Sequence, residues 1–169
     1  LADKTIGLIG FGNIGRRVAD IASCFGADVV YYSTSGSPEQ EGYHQVDFDT
    51  LLSTSDIISI HAPLNSNTEG LINTKALEKM KSSAILLNLG RGPIVVEQDL
   101  ADALKKGTIA AAGLDVLCQE PMSADNPLFD IRDSKKLLIT PHVAWAAVES
   151  RTRLMEIIHG QIKEFFSAS

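Results

Sequence analysis

The residue pattern points to an α/β fold, a doubly wound parallel sheet covered by helices on both faces, built as a single domain. Three features carry this. Short apolar stretches of strand length alternate with amphipathic stretches of helical spacing, which implies right-handed crossovers between parallel strands. A glycine turn, Gly10-Phe11-Gly12-Asn13-Ile14-Gly15, stands where the first strand gives way to the first helix. The length, 169 residues, suits one domain, because a chain of this size buries roughly 70% of its unfolded surface.

Taken in order, Thr5–Ile9 is a short apolar strand, and residues 16–22 repeat apolar side chains at helical spacing. In that setting the glycines have separate jobs: Gly10 permits the tight turn, Gly12 lets the backbone approach a pyrophosphate, and Gly15 lets the helix pack close on the strand. The helix start, with Asn13 and Ile14, attracts the phosphate charge. This makes the sheet Rossmann-type. Asp28–Tyr32 is a second, β-branched and aromatic strand, ended by the hydroxyl-rich run from Ser33 to Pro38.

Polar loop follows, then a short edge strand at Gln45-Val46, then a turn or two of helix over 49–54 with Asp49 as its N-cap. Ile57–Ile60 is a strand stopped at Pro63. Asn73 caps a helix running to about Lys81, with Ala76, Leu77 and Met80 on one face. Residues 84–88 form the next strand, Glu97–Lys106 a helix closed by Gly107, and residues 109–114 and 137–139 the last two strands. Residues 119–133 are irregular. The stretch 148–166 carries a helical stripe of Leu154, Ile157, Ile158, Ile162 and Phe165.

Composition narrows the function classes. The chain is 44% hydrophobic and 21% charged, with a formal charge of −6, which argues against a nucleic-acid surface. No apolar run approaches the roughly 20 residues of a membrane helix, and no signal peptide opens the chain, so a cytoplasmic location is expected. Cys24 and Cys118 supply neither a disulfide framework nor metal-ligand spacing; no metal is expected.

A doubly wound sheet binds ligands beyond the carboxyl ends of its strands. Three residues follow such ends: Arg91, between two glycines; Glu120, before Pro121; and His142, in Thr140-Pro141-His142. A fixed cation, a carboxylate and an imidazole at one edge make a usable catalytic set. Each alone has an ordinary explanation: a turn stabiliser, a solvated loop acid, a surface histidine.

These blocks, with Leu87-Asn88-Leu89-Gly90-Arg91-Gly92-Pro93 and Gly113-Leu114-Asp115-Val116, resemble the signature series of the D-isomer-specific 2-hydroxyacid dehydrogenases over essentially the whole chain. Asn126-Pro127-Leu128 and the tail from His142 to Arg151 most resemble the glycerate dehydrogenase, or hydroxypyruvate reductase, branch. The resemblance implies that Arg91 grips a substrate carboxylate and its 2-oxo oxygen, and that His142 exchanges the proton with that oxygen as hydride moves to or from nicotinamide. It implies that Glu120 hydrogen-bonds His142, fixes its orientation and favours its imidazolium form. By the same resemblance Asp115 stands near the nicotinamide carboxamide, Ala144 and Trp145 flank the nicotinamide, His61, Ala62 and Pro63 line the adenosine side, and Leu89 and Gly90 complete the cofactor site.

Two departures stand out. A dinucleotide site of this kind usually has an acid at the end of the second strand to bind the ribose 2′-hydroxyl; Ser33 stands there. No Arg or Lys follows in sequence to receive a 2′-phosphate, so NAD(H) is modestly preferred and NADP(H) left open. Val96 occupies the usual Asp or Asn cap position before Glu97, at a cost of about 1 kcal/mol.

The family inserts its dinucleotide domain into a substrate domain, and residues 1–169 resemble the insert alone. The expectation is a piece of a longer enzyme that binds cofactor but turns over little. The expected partners are a small 2-oxo or 2-hydroxy acid, in the full-length parent, and a second copy, with the 119–133 loop as a contact. A non-catalytic dinucleotide-sensing module of the same fold is the main alternative, and an alanine dehydrogenase or adenosylhomocysteinase relative a weaker one.

Overall fold

The computed structural model describes residues 1–37 and 39–167; Pro38, the end of the hydroxyl-rich run, and residues 168–169 lie outside the described residues. Seven strands form one sheet: β1 Thr5–Ile9, β2 Asp28–Tyr32, β3 His44–Gln45, β4 Ile57–Ile60, β5 Ile85–Asn88, β6 Ala111–Leu114 and β7 Leu137–Ile139. Every neighbouring pair is parallel, in the order β3-β2-β1-β4-β5-β6-β7. The direction of winding reverses between β1 and β4, which is where such a sheet opens a crevice for ligands. The helices are α1 Asn13–Cys24, α2 Phe48–Thr54, α3 Thr74–Lys79, α4 Glu97–Lys106 and α5 Val148–Ser167.

Successive residues of a strand face opposite sides, and β1 shows the result. Ile6 and Leu8 pack with Ala19 and Ala22 of α1 and with Tyr31, whereas Ile9 joins the larger cluster containing Leu51, Leu77, Leu100 and Leu104 from α2, α3 and α4. Both faces of the sheet are thereby covered. Small residues, Gly15, Ala19 and Ala22, form the buried side of α1, so that helix lies close to the sheet.

Element ends differ from the sequence expectation in several places; β5 starts at Ile85 and α3 ends at Lys79. Asp47, not Asp49, caps α2: it is extended and accepts the Thr50 N–H at 2.9 Å and the Thr50 hydroxyl at 2.6 Å. Asp49 sits inside the first turn and pairs with Lys79 at 2.5 Å. The edge strand starts one residue earlier, at His44, where it pairs with Val30. Helix α1 begins at Asn13, so the last residues of the glycine turn are already helical, with Gly12 as N-cap. Strand β6 starts at Ala111. Asn73 caps α3 as expected, accepting the Ala76 N–H, and Gly107 closes α4 at φ +75°. Val96 makes no side-chain cap.

The 119–133 segment is folded onto the body: Leu128 is buried, and Met122 and Ile131 pack against the core. Helix α5 differs, with no buried residue along its length. Among the described residues no helix is long and apolar enough to cross a membrane, and no group of three His, Cys, Asp or Glu could hold a metal ion.

Candidate active site

Two positions of the glycine turn are confined by backbone, and the third faces open space. Gly10 has φ +90°, and a Cβ there would stand 2.7 Å from the Ala62 backbone. A Cβ on Gly15 would meet the Gly10 carbonyl oxygen at 2.5 Å. Gly12 has nothing within 4 Å of its Cβ position, so its backbone faces an open cradle. No acidic residue stands in the first turn of α1, which leaves the partial positive charge of the helix start available to an anion. These features fit a dinucleotide pyrophosphate.

From that turn two clefts extend along the carboxyl edge of the sheet. One, of about 430 Å³, is lined by Gly10, Gly12, Arg16, Ser33 and Ser35 among others. The second, of about 570 Å³, brings together Ile14, Leu89, Arg91, Asp115, His142 and Trp145, with Ala144 beside them. His61 lines both. It also lines a third depression with Ala62, Pro63 and Gly90. His61 therefore sits at the junction of the two halves, and its Nε2 lies 2.9 Å from Ser59 Oγ. Burial lowers its pKa, because a charged imidazolium loses hydration there.

Arg91 is placed by a buried neighbour. Asn88, at the end of β5, accepts the Gly90 N–H at 3.1 Å and donates to the Arg91 carbonyl at 3.0 Å, which closes the turn on both sides. Gly92 then passes so near the next crossover that a Cβ would lie 2.0 Å from the Leu117 carbonyl carbon. The Arg91 turn and the segment leading to Glu120 are in backbone contact.

His142 Nδ1 lies 2.8 Å from Glu120 Oε2, and Glu120 Oε1 accepts the Leu117 N–H at 2.9 Å. That backbone bond, with the His142 contact second, holds the Glu120 carboxyl below the usual range. With Nδ1 engaged, Nε2 is the ring nitrogen left for a ligand. His142 has φ +54°, an uncommon conformation for a residue with a side chain. Asp115 stabilises it. Asp115 Oδ1 accepts the Thr140 hydroxyl at 2.5 Å and the Val143 N–H at 2.9 Å, Oδ2 accepts the Ala144 N–H at 2.9 Å, and the Asp115 carbonyl accepts the His142 N–H at 2.9 Å. Burial pushes the Asp115 carboxyl up, but the bonds from Thr140, Ala144 and Val143 outweigh it and hold it below the ordinary value.

Arg91, Asp115, His142, Ala144, Trp145, Leu89 and His61 thus share one cleft, and Glu120 stands behind His142. Ser33 lies at the far end, in the cleft with the glycine turn. Sequence reasoning missed Asn88 as the clamp of the Arg91 turn, although it lies within the motif. It also missed Arg16 as a lining residue, because nothing in sequence links the first turn of α1 to the end of β2.

A glycine turn between β1 and α1, a sheet in this strand order and a crevice at its reversal define a Rossmann-type dinucleotide-binding domain. The family is given by comparison: residues 1–144 match the D-isomer specific 2-hydroxyacid dehydrogenase, NAD binding domain, and the chain belongs to that family. It is 46% identical, over its whole length, to a hydroxypyruvate reductase of Blautia hydrogenotrophica, of which it covers 52%. It is 41% identical to a glycerate dehydrogenase of Methylorubrum extorquens, over 98% of this chain and 51% of the relative. An acyclic imino acid reductase solved with NADPH and D-arginine superposes with a TM-score of 0.89 at 38% identity, covering 99% of this chain and 52% of that one. The chain spans about half the length of the curated relatives it matches.

Proposed function

We propose that the chain is the dinucleotide-binding half of an enzyme that moves hydride between a nicotinamide and a 2-oxo or 2-hydroxy acid, of the hydroxypyruvate and D-glycerate type. The observation that carries this is the convergence of Arg91 and His142 on one cleft, with Glu120 held 2.8 Å behind the imidazole.

The bound dinucleotide supplies or receives the hydride. Arg91 binds the substrate carboxylate, for which its planar fork offers two hydrogen bonds, and stabilises charge on the 2-oxo oxygen. His142 gives the proton from Nε2 to that oxygen during reduction and takes it back during oxidation. Glu120 orients the ring through Nδ1. Asp115 acts on the segment that carries His142, with Ala144 and Trp145 beside the nicotinamide.

The remaining substrate contacts are assigned to the half of the relatives that this chain does not cover, so residues 1–169 alone should bind NADH and oxidise it slowly. Mixing the purified chain with NADH and hydroxypyruvate tests this directly. Tight NADH binding with negligible oxidation supports the reading, and brisk oxidation overturns the two-domain part of it. In the longer enzyme, an unchanged rate for His142→Ala would favour a dinucleotide-sensing module instead.

A further inference from the structure

Where an acid would meet the ribose 2′-hydroxyl, this chain has a linked set of hydroxyls. Ser33, only 8% exposed, accepts the Ser37 N–H at Oγ at 3.0 Å. Ser35 Oγ lies 2.7 Å from Ser37 Oγ and 3.4 Å from Ser33 Oγ. The turn after β2 therefore presents three hydroxyls in a fixed row. A hydroxyl proton can be donated to an anion as readily as to a neighbouring serine.

In sequence no cation follows this turn. In space one stands opposite it. Arg16, in α1, lines the same cleft as Ser33, Ser35 and Ser37, and its guanidinium donates to Asn13 Oδ1 at 2.9 Å. Lining that cleft, Arg16 faces the β2 side of its helix. Among the described residues no carboxylate lines this cleft; nearby Glu39 is taken by the Gln45 N–H.

We infer that this end of the cleft is a phosphomonoester site that takes the 2′-phosphate of NADP(H), with Arg16 as the fixed charge and the serine hydroxyls as donors. The inference rests on the dinucleotide reading above. The preference for NAD(H) read from sequence turns on a missing cation, and Arg16 supplies one. A guanidinium suits a phosphate because its donors match the oxygen geometry. With NADH the same charge has no anion to meet at that end.

The test is a fluorescence titration of the 169-residue chain with NADPH and NADH, repeated for Arg16→Ala and Ser35→Ala. A displacement series compares 2′,5′-ADP with 5′-AMP. Both substituted side chains are exposed, and circular dichroism checks that the variants fold. NADPH should bind about tenfold tighter than NADH, the size expected of one good charged hydrogen-bond set. Arg16→Ala should remove most of that advantage and leave NADH within about twofold; Ser35→Ala should remove a smaller part. 2′,5′-ADP should displace NADPH better than 5′-AMP. Equal or tighter NADH binding overturns the 2′-phosphate site alone. So does an equal loss for both cofactors in Arg16→Ala, which would assign the guanidinium to the shared pyrophosphate. A folded chain that binds neither cofactor overturns the dinucleotide reading and this site with it.

Discussion

His142 Nδ1 and Glu120 Oε2 are 2.8 Å apart across 22 residues of chain, and each partner is held by backbone on its other side. Glu120 is fixed through Oε1 by the Leu117 N–H, and His142 through its own N–H by the Asp115 carbonyl. The imidazole is thus held at Nδ1, and the backbone that carries it at the N–H, before any ligand arrives. Such preorganisation is what an acid–base group needs to work at a defined distance.

In the proposed two-domain enzyme, His142→Ala should lower kcat by about 10²- to 10⁴-fold, the usual contribution of a positioned acid–base group. NADH affinity should change by less than about threefold, since the proposed role turns Nε2 to the substrate. A comparable loss of cofactor binding, measured by fluorescence, would show that the histidine serves the nicotinamide instead.

Glu120→Gln should also slow turnover, through orientation. Leu117 and His142 use different oxygens of the carboxylate, so in Gln one of them would face an NH₂ group instead. The pH dependence has a defined sign. Because its folded pKa is depressed, the Glu120 carboxylate and its two bonds are fully present above the ordinary glutamate value of about 4.3 and are lost only as pH falls through the lower folded value. Carbon-13 titration of the carboxyl should therefore report a midpoint below about 4.3 in the folded chain; a midpoint above it would contradict the Leu117 and His142 contacts.

Asp115→Asn should loosen the segment 140–144. An amide has one oxygen for two N–H groups, so its NH₂ would face either Val143 or Ala144 N–H without a partner. The cost is about 1.5–3 kcal/mol for a lost hydrogen bond to a charged group, here part-buried. Hydrogen exchange should quicken at Val143 and Ala144 ahead of the core strands. Uniform quickening everywhere would mean a global rather than a local role.

Burial of His61 predicts a second pH effect. Its folded pKa lies below the ordinary histidine value of about 6.5, so the neutral ring contributes stability that is fully present above that pH and declines as pH drops toward the folded value. His61→Gln should flatten the fall in thermal midpoint below about pH 6.5. An unchanged slope would place that acid sensitivity in other groups.

Much of this was legible because parallel strands leave a plain mark. Thr5–Ile9, Asp28–Tyr32 and Ile57–Ile60 appear at their sequence-expected positions, since short apolar runs before a turn have few other uses. Helix ends were less legible. Two aspartates, Asp47 and Asp49, stand two residues apart, and only the extended backbone at Asp47 decides between them. Relations across the fold were hidden altogether. Asp115 can be seen to end a strand, but its bonds to Thr140 and Ala144 come from 25 and 29 residues on. Arg16 faces Ser33 only because α1 and β2 are brought side by side.

The two roles within the glycine turn can be separated by the same substitution. Gly15→Ala adds a methyl 2.5 Å from the Gly10 carbonyl oxygen. The helix gains up to about 1 kcal/mol in propensity, but the overlap is with backbone that cannot turn aside, and overpacking of this kind costs about 1–3 kcal/mol. Its thermal midpoint should fall along with its affinity for dinucleotide. Gly12→Ala adds a methyl to open space at φ −84°, so only the weaker N-cap preference is lost and the midpoint should move little. There the methyl enters the space a pyrophosphate would fill, and affinity should drop about ten- to a hundredfold, as when a charged hydrogen bond is lost. Calorimetry beside fluorescence titration reads both quantities. Unimpaired binding by Gly12→Ala would remove the pyrophosphate from this turn.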